Sequence, residues 1–182
     1  MSADNSITLL RTLPTSFHCY SISLLNADTF LVSTYGHKRP VRTVDINGKE
    51  GDIQHKHLPD KIYERGKSAC AYIQSSNTIV FSDRTQHTLY MCDTTSGEGR
   101  LIKSDKIANA RCICAGPSGS TFVCCTDTNL ILKFSPRGDM QILHDVGIRV
   151  PLAVSVSEDG TRMAVSSRHE RQAVLKLFLI EC

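Results

Sequence analysis

The sequence predicts an all-β fold, a β-propeller of about four four-stranded blades, and three observations carry the prediction. Short apolar runs recur every 41 to 49 residues, tight-turn residues punctuate them in register, and no segment sustains a helical period with caps. The clearest landmark is the second strand of each repeat: 29–33 (TFLVS), 78–82 (TIVFS), 121–125 (TFVCC) and a degenerate fourth copy at 162–166 (RMAVS). Their β-branched and aromatic content suits buried strands.

Each landmark strand follows a turn cluster, at 26–28, 75–77, 117–119 and 158–160, rich in Asn, Asp, Gly and Ser. Upstream of each cluster lies a first strand, at 19–25, 69–74, 111–115 and 152–157. These first strands carry little charge and many small side chains, as the crowded centre of a propeller requires. Third strands follow at 41–46, 89–92, 130–134 and 174–180. After the first three of them come the turn glycines Gly48, Gly97 and Gly138, and short fourth strands at 52–54, 100–103 and 139–143.

One domain thus extends over 7–182, with blades near 17–57, 67–103, 110–144 and 150–182, after a disordered tail over 1–6. The fourth repeat lacks its last strand, and the apolar segment 7–13 stands unattached before the first. Either 7–13 closes a ring of four, or it belongs to a preceding blade of a larger ring; the sequence leaves both open. An unclosed array exposes sheet surface and favours self-association.

Composition bounds the function. The chain has 182 residues, 41% hydrophobic and 21% charged, which is globular and one domain in size. The longest stretch free of Asp, Glu, Lys and Arg is 12–27, interrupted by Ser, Thr, His and Asn, so no membrane helix and no membrane partner is expected. The start, Met1-Ser2-Ala3-Asp4-Asn5, lacks the basic and apolar segments of a signal peptide. No Asn-x-Ser/Thr site occurs, and Cys19, Cys70, Cys112, Cys114, Cys124 and Cys125 sit in apolar runs. Reduced, core-forming thiols and a cytoplasmic location are the expectation. No C-x-x-C pair is present, so no metal and no cofactor is predicted.

The third repeat carries a resemblance. Pro117-Ser118-Gly119, then Thr121-Phe122-Val123-Cys124-Cys125-Thr126-Asp127, Asn129-Leu130-Ile131, Phe134 and Gly138 resemble an NHL repeat, and Asp83 with Leu89-Tyr90 and Gly97 is a looser copy. The chain looks like the carboxy-terminal propeller of invertebrate tripartite-motif (TRIM) proteins, whose usual ring has six blades. The first and fourth copies lack the Asp after the strand. The resemblance implies the substrate-recruiting half of a ubiquitin ligase, without the catalytic RING. It also permits RNA binding.

Motifs for chemistry are sparse. Gly66-Lys67-Ser68 lacks the leading glycine and following helix of a phosphate-binding loop, and Gly116-Pro117-Ser118-Gly119 lacks nucleophile-elbow spacing. His55 and His57 flank a lysine in a polar stretch and read as loop residues. The first strands offer no carboxylate for a channel-mouth metal, so a propeller hydrolase is disfavoured and the chain is expected not to be an enzyme.

Charge placement points to binding. The loops between second and third strands and those between blades share one face in a propeller. Here they hold eleven Lys/Arg against seven Asp/Glu. The candidate binding residues are His37, Lys38, Arg39, Arg84, His87, Arg111, Arg149, Arg168, His169 and Arg171. Such a face suits a protein partner, or phosphate in RNA. Aromatic side chains for base stacking are few there, chiefly Tyr35 and Tyr63.

Overall fold

The computed structural model describes residues 9–53, 62–143, 147–169 and 172–180. His55 and His57 therefore lie outside the described residues. Four antiparallel sheets follow one another along the chain, and no α-helix occurs among the described residues. The first sheet holds β1 (His18–Asn26), β2 (Thr29–Tyr35), β3 (Val41–Asp45) and β4 (Glu50–Asp52). The second holds β5 (Ser68–Ile73), β6 (Thr78–Asp83), β7 (Thr88–Asp93) and β8 (Gly99–Lys103). In the third are β9 (Ala110–Ala115), β10 (Thr121–Cys125), β11 (Leu130–Phe134) and β12 (Met140–Leu143). Among the described residues three strands build the fourth: β13 (Pro151–Val156), β14 (Arg162–His169) and β15 (Gln172–Leu179).

In every sheet the strands are ordered as in the chain, and the first strands pack in succession, β1 on β5, β5 on β9 and β9 on β13. The sheets are therefore blades stacked face against face around a shared axis. Turn chemistry sets this up locally. Gly48, Gly97 and Gly138, at φ of 85°, 69° and 86°, close the hairpins into the fourth strands, a conformation that costs other residues about 1–2 kcal/mol.

Apolar side chains fill three seams. Leu31 and Val41 of the first blade meet Cys70, Ile79, Phe81, Tyr90 and Cys92 of the second, with Tyr63 from the connector. Val80, Leu89 and Met91 meet Ile113, Val123, Leu132 and Phe134 of the third blade. Phe122, Cys124 and Ile131 meet Val154, Met163 and Val165 of the fourth. Each fully buried Leu, Ile, Val or Phe contributes roughly 1.5–3 kcal/mol, so these seams dominate the stability. A smaller cluster, Phe17, Val32 and Val44 with Leu13, lies on the outer face of the first blade.

Polar groups stitch the blades together. The Cys70 and Tyr72 amides of β5 donate to Ser21 Oγ (3.0 Å) and Ser23 Oγ (3.1 Å) of β1. Ser82 Oγ accepts from the Ala69 amide (3.0 Å) and donates to the Ala110 carbonyl of the next blade (3.0 Å). Thr126 Oγ1 donates to the Pro151 carbonyl (2.8 Å), the same link one blade on.

Three sequence expectations change. Laying 121–125 over 78–82 is out by one residue: Val80 faces the third blade, whereas Val123 faces back to the second and Phe122 faces forward. Side chains alternate along a strand, so an odd slip exchanges the two faces. The expected strand over 7–13 is not formed in its described part. Residues 9–13 are irregular, with Arg11 donating to the Ile46 carbonyl (3.3 Å) and Leu13 packed on the first blade. Cys19, expected in the core, is exposed, because it stands where the β1–β2 register is irregular. Burial pushes the thiols of Cys70, Cys92, Cys114 and Cys125 up to about 12, and that of Cys124 upward as well.

Candidate functional site

The hairpins between second and third strands and the connectors between blades meet at one end of the stack. Gly36 N–H donates to the Tyr63 carbonyl, Arg84 N–H to Lys67, Ser104 N–H to His87, Thr126 N–H to Asn109 and Arg168 N–H to Val150. The recurrence of this bond from blade to blade ties the loops into a single face. That face carries the sequence-predicted residues.

Its best-defined constellation lies where the first three blades converge. Arg84 Nε donates to Asn109 Oδ1 (2.6 Å), and Asn109 Nδ2 donates to Asp127 Oδ1 (2.7 Å). Asn109 reaches both partners from a left-handed backbone, φ 57°, which Asn tolerates better than most residues. The Tyr20 side chain, from β1, lies over Gly66 and favours the charged form of the Arg84 guanidinium. Arg84 is half-buried while Arg111 beside it is exposed. Burial first, and then the like charge of Arg111, push the Arg84 pKa below its ordinary value, opposed by Tyr20 and Asp127.

Around this centre the other residues are strung along the rim. On the first blade, Lys38 and Arg39 are exposed, and the Arg39 amide donates to His37 Nδ1 (3.0 Å). The Arg39 carbonyl accepts from Thr34 Oγ1, which fixes the loop. His87 holds a left-handed turn position, φ 54°. On the far side Arg149 and Arg168 are exposed, flanking Val150. Val150 has φ 51°, an unusual conformation for a β-branched residue, held by its amide to Asn129 Oδ1 (2.7 Å) and its carbonyl to the Arg168 amide. Of His169 only the backbone, ending β14, is described, and Arg171 lies outside the described residues.

Of the ten candidates, Arg84 and Arg111 come near enough for their like charges to oppose one another. Sequence reasoning missed Tyr20 and Asn109 as their partners, because neither lies near Arg84 in the chain. Asp127 and Asn129, quoted for the NHL pattern, acquire physical roles: one anchors Asn109 and the other positions Val150. Asp83, in the looser copy, is buried and accepts from the Thr85 amide, Thr85 Oγ1, the Gln86 amide and the Tyr63 hydroxyl (3.1 Å). Tyr63 is buried, so it offers no stacking surface to a base, contrary to expectation. Its pKa is raised, by burial first and then by the Asp83 carboxylate. Among the described residues no three His, Cys, Asp or Glu side chains gather as metal ligands.

No protein-family model matches the chain, and no curated protein does. Solved structures do. Virginiamycin B lyase from Staphylococcus aureus aligns over 90% of this chain and 56% of its own, with 15% identity and a TM-score of 0.63. Hydrazine synthase of Kuenenia stuttgartiensis aligns over 96% and 49%, with 16% identity and a TM-score of 0.67. A chain of a nidogen/laminin complex aligns over 87% and 60%, with 11% identity and a TM-score of 0.66. The chain therefore spans about half to three-fifths of the length of the structures it matches. These identities carry the fold and no activity. The expectation that the chain is not an enzyme is nevertheless corrected, since lyases stand among its fold matches. The chain is thus a four-sheet arc of a β-propeller, a fold its matches use both in an enzyme and in a complex between proteins.

Proposed function

We propose that the chain is a protein-recognition module that captures an anionic partner segment on its connector-end loop face. Arg84 and Arg111 are the central contacts, and Lys38, Arg39, Arg149 and Arg168 flank them. His37 and His87 extend the rim, and His169 and Arg171 are proposed with them from the sequence. The observation that carries the reading is Arg84 itself: half-buried, held by Asn109 Oδ1 at 2.6 Å, and near enough to the exposed Arg111 for the two like charges to oppose one another. A carboxylate or phosphate between them relieves that repulsion and accepts charge-assisted hydrogen bonds. The unusual backbone at Val150, between two exposed arginines, supports the same face. A rigid blade stack holds these loops in place, which limits the ordering loss on binding. The resemblance to TRIM-type propellers makes the partner a substrate recruited for ubiquitin transfer.

The test is binding of acidic and phosphorylated peptides to the wild type and to the Arg84→Gln/Arg111→Gln variant. Loss of about tenfold or more in affinity, with an unchanged circular dichroism spectrum, is expected from removing charge-assisted hydrogen bonds. Unchanged affinity refutes the face. Single-stranded RNA bound in preference to the peptides, with a steep salt dependence, replaces the protein reading by the RNA one.

A further inference from the structure

We propose that Cys112 and Cys124 are a reversible disulfide pair, oxidised by low-molecular-weight disulfides, whose closure reshapes the loop face at Arg111. The effect on binding rests on the role proposed for that face; the bond itself does not. Among the described cysteines these are the only two that stand directly opposite each other in register, Cys112 on β9 and Cys124 on β10. Both side chains point toward the fourth blade, in the seam with Val154, Met163 and Val165. Directly opposed residues hold their Cβ atoms ~4.5–5.5 Å apart, and a disulfide holds them ~3.5–4.5 Å apart. Closing the bond therefore needs an approach of about an ångström, not a rearranged sheet.

The two thiols differ in access. Cys124 is buried, whereas Cys112 is half-buried and makes one long hydrogen bond, from Sγ to the Val154 carbonyl at 3.8 Å. Its chain neighbour Arg111 is an exposed cation, so an anionic disulfide meets a positive charge beside the reachable thiol. Exchange takes two displacements. The Cys112 thiolate attacks one sulfur of the reagent and expels a thiolate, leaving a mixed disulfide. The Cys124 thiolate then attacks Cys112 Sγ and expels the second. The protein gives up two protons and two electrons, which reduce one small disulfide to two thiols, and excess thiol runs the exchange backward. Burial raises both thiols, so thiolate is scarce and closure runs over hours. Cys114 shares the same face but stands opposite Phe122, which leaves it outside the pair.

The pair lies at the root of the candidate site. On β9 the register passes from Cys112 to Ala110 while β10 advances only from Cys124 to Cys125, so Arg111 is the extra residue of a β-bulge. A bulge kinks its strand and re-aims the side chain it carries, here the arginine that opposes Arg84. On β10 the chain runs from Cys124 through Thr126 to Asp127, which anchors Asn109 and through it Arg84. Thr126 N–H also donates to the Asn109 carbonyl at 3.2 Å. Both strands that leave the pair thus lead straight to the charged groups. Drawing them together beside the bulge changes the placement of Arg111 relative to Arg84, on which capture of an anion between them depends.

The test is intact-mass spectrometry of the full chain after incubation with oxidised glutathione, on the wild type and on Cys112→Ala, Cys114→Ala and Cys124→Ala, with circular dichroism to establish folding. Loss of two hydrogens marks an internal disulfide, and an added glutathionyl group marks a mixed one, as at the exposed Cys19. The wild type and Cys114→Ala are expected to lose two hydrogens, with or without added glutathionyl groups; Cys112→Ala and Cys124→Ala lose none. A wild type that loses none, or a Cys112→Ala chain that loses two, overturns the pair. Cys112→Ala decides alone if Cys124→Ala does not fold. Binding of the acidic peptide is then compared before and after oxidation. The oxidised wild type is expected to bind about fivefold more weakly or worse, with recovery in dithiothreitol and no change in Cys112→Ala. A closed disulfide with unchanged affinity overturns the coupling. A reduced wild type that binds no acidic peptide overturns the role of the face and the coupling with it, while the mass result still decides the pair.

Discussion

The second and fourth blades come from the same repeat and live in different surroundings. In the second, every residue of β6 is buried, because blades pack on both of its faces. In the fourth, β15 alternates between exposed and partly covered positions, because only its inner face has a neighbour. The sequences do not differ accordingly: QAVLKLFL is as apolar as TIVFSD, with Leu175, Leu177 and Leu179 at its exposed positions and Lys176 at a partly covered one. A strand's apolar content therefore marks it as a strand without reporting how many of its faces are covered.

The sharpest way to break the comparison is truncation on each side of it. Phe81→Ala removes a fully buried ring that meets Tyr63 edge-on at 5.4 Å and Tyr90 at 5.9 Å, and is expected to destabilise by about 3–5 kcal/mol. Leu175→Ala, at a position 66% exposed, is expected to stay within about 0.5 kcal/mol. Urea unfolding of both variants measures the contrast, and equal losses would mean that the fourth blade is covered. Next in size is Ser82→Ala, which leaves the Ala69 amide and the Ala110 carbonyl short of a partner inside a seam; a loss of about 1–3 kcal/mol is expected.

The smallest effect is electrostatic and lies in the turn of the fourth blade. Asp159 accepts from Ser157 Oγ, and from the amide and hydroxyl of Thr161, which hold its carboxyl at about 2. A carboxylate depressed in the folded state adds stability above its unfolded value of about 3.8, and that stability is lost as pH falls through about 2. Asp159→Asn should therefore flatten the decline in stability between pH 4 and 2, because it lowers the neutral-pH stability toward the low-pH level. Acid titration followed by circular dichroism reads this, and an unchanged slope counts against the turn.

Much of the architecture was legible because propeller blades repeat a local programme, with turn glycines at fixed places and strands short enough to read singly. What failed was parity. The threonine that opens both 78–82 and 121–125 invites a superposition one residue out, and composition does not distinguish two faces that are both apolar. The segment 7–13 failed differently: its alternation fits a strand, but nothing local says which sheet edge would accept it. At the loop face the basic residues were visible as charge. Their organisation was not, because Tyr20 and Asn109 reach Arg84 through the packing of three blades.

The hydroxyls of Ser21 and Ser23 have one more effect. By taking the Cys70 and Tyr72 amides they occupy donors along the innermost edge of the second sheet, a row that would otherwise template an intruding extended chain. Two small hydroxyls thus occupy two of the donors that an added strand would need along that border, and they fit at the crowded centre of the stack.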